Sequence, residues 1–142
     1  MKVAVGEILA TLATALWVGA IFTPWIAGRT ARAISLADLF SSQPHHAGGL
    51  NSLAWPLAIA AMIAFFAAAV ESAIAASLAG VLGLGTVVGW IVMEANRRAP
   101  ADLSSADLQR GVWATIAGAV AVFVAALAFR EKRVSRGSSP PA

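Results

Sequence analysis

The sequence predicts an all-α fold: an integral membrane four-helix bundle of up-down topology. Three observations carry this. Hydrophobic residues make up 59% of the 142 and charged residues only 12%, about half the roughly 25% charged share of an ordinary soluble domain. The stretch 53–93 holds one ionisable side chain, Glu71. It is about twice the ~20 apolar residues that a crossing needs, so it reads as a helical hairpin turning near Glu71. Two further apolar runs flank it, at 3–25 and 111–129. Four crossings leave short connections and no space for a separate soluble catalytic module.

The first span is expected over 3–22. Thr11, Thr14, Gly19 and Ala20 are small or weakly polar and suit contacts with neighbouring helices. Thr23-Pro24-Trp25 closes the span: proline cannot continue the hydrogen-bond ladder, and tryptophan favours headgroup depth. A cleaved signal peptide is the competing reading. Pro24-Trp25 occupies the position where a small-residue cleavage site belongs, and Ala31-Arg32-Ala33 lies too far from the apolar core, which favours a retained span.

In the connection 26–51, Ala33, Leu36, Ala37 and Phe40 recur at i, i+3, i+4 and i+7, while Arg29, Arg32, Ser35 and Asp38 fall elsewhere. That period predicts a short helix on the membrane surface. Residues 41–51, with Pro44, Gly48 and Gly49, read as irregular. The second span is expected over 53–70, opened by Trp55-Pro56, with a turn at Glu71-Ser72. The third, over 75–93, contains Gly80, Gly83, Gly85 and Gly89. Gly85 and Gly89 form a GxxxG pair, suited to close helix contact either within the bundle or at a dimer seam. After Pro100, Ser104 and Asp107 have capping-box spacing and predict a helix running through Leu108 and Gln109 into the fourth span, 111–129. Ala114 and Gly118 make a small-xxx-small pair there. Thus 1–130 is read as one transmembrane domain and 131–142 as a disordered basic tail.

Lysine and arginine divide evenly between the two faces: Lys2, Arg130, Lys132, Arg133 and Arg136 on one, Arg29, Arg32, Arg97, Arg98 and Arg110 on the other. The cluster at 130–136 abuts a span directly, where basic residues count most, and this puts both termini in the cytoplasm. Four tryptophans, Trp25, Trp55, Trp90 and Trp113, fall at the opposite face and read as an aromatic belt; Trp17 alone lies deep in a span.

Few residues offer chemistry. The absence of cysteine excludes disulfides, thiolate nucleophiles and thiolate metal sites. The net charge of +3 comes from residues beside the spans, which explains it without a nucleic-acid partner. Glu7 is a possible intramembrane acid, since ionisable residues in spans are functional candidates by default, but it lies near the span's start and within reach of solvent. Glu71, in a turn, is more so. His45-His46 are adjacent in a loop and too few for a metal site. No histidine lies in a span to ligate haem, and no nucleophile–base set or phosphate loop is present. No catalytic, cofactor-binding or metal-binding residue is expected, and the chain does not read as an enzyme.

Pro24-Trp25 closing the first span, the stretch Ser35-Leu36-Ala37-Asp38-Leu39, and Gly111-Val112-Trp113-Ala114 opening the last together resemble small uncharacterised four-span membrane proteins of bacteria with an outward Pro-Trp and a Gly-x-Trp fourth span. The resemblance implies a bacterial cytoplasmic-membrane protein and transfers no functional residues. The chain also resembles small multidrug-resistance transporters in its four helices, its acid in the first and its glycines. It departs from them in the position of Glu7 and in the long connection 26–51. The expectation is a non-enzymatic accessory or structural subunit that packs in the lipid bilayer with a membrane partner or with itself. The alternative is a small dimeric transporter with Glu7 as coupling carboxylate.

Overall fold

The computed structural model describes residues 2–40, 51–97 and 105–138. Four helices form the body: α1 (Lys2–Phe22), α2 (Ala54–Val70), α3 (Ala73–Arg97) and α4 (Arg110–Gly137). Each packs on two neighbours in a closed ring, α1 on α2 and α4, and α3 on α2 and α4. Three of them, α1, α3 and α4, are long and apolar enough to cross a membrane. The shorter α2 has 17 residues, about 25 Å at ~1.5 Å per residue. Its outward face is apolar, with Ile59, Met62, Phe65, Phe66 and Val70 exposed.

The interior is built of small side chains with a few large rings set among them. Ala10, Ala13, Ala60, Ala64, Ala67, Ala76, Ala79 and Ala125 are buried. Aromatic rings sit on glycines: Phe129 against Gly6, Phe123 against Gly80, Trp25 against Gly111, and Trp17 against both Gly83 and Gly118. A Cβ at any of these glycines would stand less than 3.0 Å from a ring atom. Close backbone approach of this kind is how helices associate where burial from water supplies little drive.

The α2–α3 turn falls where the sequence places it. Glu71 adopts a left-handed conformation (φ 51°), and its N–H donates to the Ala67 carbonyl. Ser72 then caps α3, its Oγ accepting from the Ala75 N–H at 3.2 Å.

Two connections and the end of α4 differ from expectation. The segment after α1 is not one amphipathic helix. It is a small antiparallel pair, β1 (Pro24–Ile26) and β2 (Arg29–Thr30), followed by 3-10 turns at Ala31–Ala33 and Leu36–Leu39. Trp25 and Ile26 of β1 are buried; within 31–40 the buried residues are Ala31, Ile34, Ser35 and Asp38, while Ala33 and Phe40 are exposed. The i, i+4 period fails because Ile34 is extended between the turns, and its carbonyl accepts from Leu53 N–H at 3.0 Å. The entry to α4 is likewise broken. A 3-10 turn at Ser105–Asp107 precedes an extended Gln109, whose N–H donates to the Trp25 carbonyl (2.8 Å) and whose Oε1 accepts from the Gly28 N–H (2.9 Å). Ser104 lies outside the described residues. Finally, α4 does not stop near Phe129 but continues to Gly137, so the stretch read as a disordered tail begins as helix.

Candidate functional site

Buried charge gathers at the end of the bundle capped by the 24–40 segment. Glu94 and Arg97 are one turn apart at the end of α3, so both side chains leave the same face. Arg97 Nη1 donates to Glu94 Oε2 at 3.1 Å. Arg97 Nη2 donates to the Asp38 carbonyl and lies 3.7 Å from Asp38 Oδ1. Side-chain exposures are 11% for Arg97, 6% for Glu94 and 4% for Asp38, so these charges lie almost wholly inside the fold. Asp38 is held by its turn: Ser35 Oγ and Asn51 Oδ1 both accept from the Ala37 N–H (3.2 and 3.0 Å). Leu39 of the same turn lies on α3 at Gly89.

Beneath this cluster the rings of Trp25 and Trp90 meet edge to face, centroids 5.4 Å apart and planes at 80°. Trp25 Nε1 donates to the Ala20 carbonyl at 2.8 Å. Both indoles are fully buried, so the aromatic belt divides. Trp55 and Trp113 are about half exposed, whereas Trp25 and Trp90 belong to the core. The arrangement is a clasp. A guanidinium spans a carboxylate on its own helix and a carbonyl and carboxylate on the cap, with charge-assisted bonds strengthened by exclusion of water. It offers no nucleophile, and no group of three metal-ligating side chains occurs among the described residues.

The opposite end is simpler. Lys132 of α4 forms an ion pair with Glu71 at the α2–α3 turn. Glu7, one turn into α1, is half-buried, beside Gly6 and its Phe129 contact.

The residues singled out from sequence separate in space. Gly118 is inside the bundle, against the Trp17 indole. Ala114, one turn earlier on α4, is half-buried against the core. Gly85 is exposed, with nothing within 4 Å of where a Cβ would stand, and Gly89 meets only Leu39. The close contacts of α3 inside the bundle therefore fall to Gly80 and Gly83 rather than to the GxxxG pair. His45 and His46 lie outside the described residues. Sequence reasoning missed the clasp. Its trace was the i, i+3 spacing of Glu94 and Arg97 just past an apolar run; nothing local ties Asp38 to them.

No family model matches this chain, and no curated protein or solved structure shows significant similarity to it. Fold and site nonetheless define a class: a helical membrane-type protein with a closed, alanine-rich interior and one capped end.

Proposed function

We propose that this is a non-enzymatic accessory or structural protein of the bacterial cytoplasmic membrane, crossing it four times with both termini inside and docking a helix of a membrane partner or of a second copy. One observation carries the reading: Gly85 is open to the outside in the middle of an exposed apolar stripe, Val81, Val88 and Val92. These residues follow the 4-3-4 spacing of a helix seam, and a glycine at its centre lets a second backbone come close. The clasp supports a rigid scaffold, since its charges are spent on holding the cap to α3. The run of Arg130, Lys132, Arg133 and Arg136 at the end of α4 favours the cytoplasmic assignment of that end.

The test is purification of the tagged chain in mild detergent, with the intact assembly weighed and its components identified. A second protein in fixed ratio, or a defined homo-oligomer, is expected, and Gly85→Leu should remove it without lowering the melting temperature. A monomer with no partner, or an assembly indifferent to Gly85→Leu, overturns the reading.

A further inference from the structure

The groove between α1 and α2 has a polar head and an apolar floor. Just below the cap, Ile21, Phe22, Arg32, Ser52, Trp55 and Ala58 surround an open cleft of about 830 Å³. It continues along the two helices as a cleft of about 420 Å³ walled by Thr14, Val18, Met62 and Phe65, with Ile21 and Ala58 common to both. The lower part is almost wholly apolar. The upper part carries a cation and hydroxyls.

We propose that this groove binds one anionic phospholipid, with the headgroup phosphate on Arg32 and an acyl chain lying between α1 and α2. The proposal rests on reading these helices as membrane spans and is independent of the α3 contact face. Three observations carry it. The Arg32 guanidinium lies over the exposed Phe22 ring, its central carbon 5.8 Å from the ring centroid. A guanidinium has five N–H donors in a fork that suits phosphate, and a ring beneath the cation uses none of its in-plane hydrogen-bond geometry. Trp55, 44% exposed at the mouth, belongs to the residue type that prefers headgroup depth. The groove also has the length of a single leaflet. From Trp55 to Phe65 it follows ten residues of α2, about 15 Å at ~1.5 Å per residue, which is half the ~30 Å hydrocarbon core. The groove stops at Phe65, five residues short of the end of α2 at Val70. An anionic headgroup is favoured over a zwitterionic one because Arg32, with Arg29 exposed on the adjoining strand, supplies positive charge that a choline would oppose.

The experiment is native mass spectrometry of the delipidated protein in detergent, titrated with phosphatidylglycerol and phosphatidylcholine of identical chains. One phosphatidylglycerol should bind at least about fivefold more tightly than phosphatidylcholine. Arg32→Ala should bring the two within twofold of each other, and Ala58→Leu, which fills the floor, should weaken both. Arg136→Ala, a basic residue at the far end of the molecule, should leave the preference intact. Arg32 is exposed and its loss does not threaten the fold; the melting temperature of each variant is recorded alongside. Equal binding of the two lipids, a preference that survives Arg32→Ala, equal losses in Arg32→Ala and Arg136→Ala, or a homodimer that buries the groove would each overturn the proposal. A chain released from membranes by alkaline wash would overturn the spanning reading with it.

Discussion

The two ends of the bundle solve the same problem in different ways. At the Glu71 end, α2 and α3 are joined by a turn of two residues, and one ion pair, Glu71 with Lys132, ties α4 to it. At the other end, the described part of the α1–α2 connection, 23–40, packs on α3 and α4 and is fixed by a buried guanidinium, two fully buried indoles and a backbone bond from Gln109 to Trp25. The difference follows from chain length. A short turn restrains itself, whereas a long connection retains its entropy unless something in the body of the fold holds it. Charges are useful as holders only where water is kept out. There the same exclusion makes their loss expensive.

Breaking the clasp tests this contrast most severely. Arg97→Ala leaves the Asp38 and Glu94 carboxylates buried without their guanidinium and should cost about 3–5 kcal/mol. It would be read as a large drop in melting temperature in detergent, with proteolysis appearing first between β1 and α2. Next comes the Trp17 seat, which belongs to neither end. Gly83→Val drives a side chain into the Trp17 ring, and such overpacking costs about 1–3 kcal/mol; denaturant unfolding checks it. Lys132→Ala at the simple end should cost no more than about 1 kcal/mol, as an ion pair partly open to solvent does. If its effect equals that of Arg97→Ala, the contrast between the ends is wrong. The smallest effect sharpens the picture from outside. Gly85→Ala replaces an exposed helix glycine and should raise stability by up to about 1 kcal/mol, in contrast to the loss at Gly83 two residues away.

Much of the fold was legible in the sequence, because hydropathy reports what each helix faces. The boundaries at Phe22 and Val70, and the start of α4 within one residue of Gly111, follow from apolar runs ended by proline, a charged turn or polar residues. What stayed hidden depends on partners distant in the chain. GxxxG names a pair that permits close approach but not the direction it faces, and the glycines seating Trp17 are Gly83 and Gly118, which stand in different helices. The cap misled for the same reason. Its apolar period pointed to Leu36 and Phe40, while the buried positions include Ser35 and Asp38, polar residues of a turn that Asn51 holds at the Ala37 N–H and Arg97 at Asp38. The helical start of the basic stretch after Phe129 was hidden too, since Lys132 gains its partner only when Glu71 is brought alongside.

The seat of Trp17 also sets an order of events during biogenesis. Its indole N–H donates to the Thr115 carbonyl at 3.0 Å, across a sequence separation of 98 residues. At the ~5–20 residues per second of synthesis, roughly 5–20 s pass between the emergence of donor and acceptor. Throughout that interval the Trp17 N–H has no final acceptor; Gly83 arrives partway through it, and Gly118 only after Thr115. The earliest of the four described helices therefore waits for the latest. A nascent chain stalled before α4 should present Trp17 to whatever insertion machinery or lipid stands beside it.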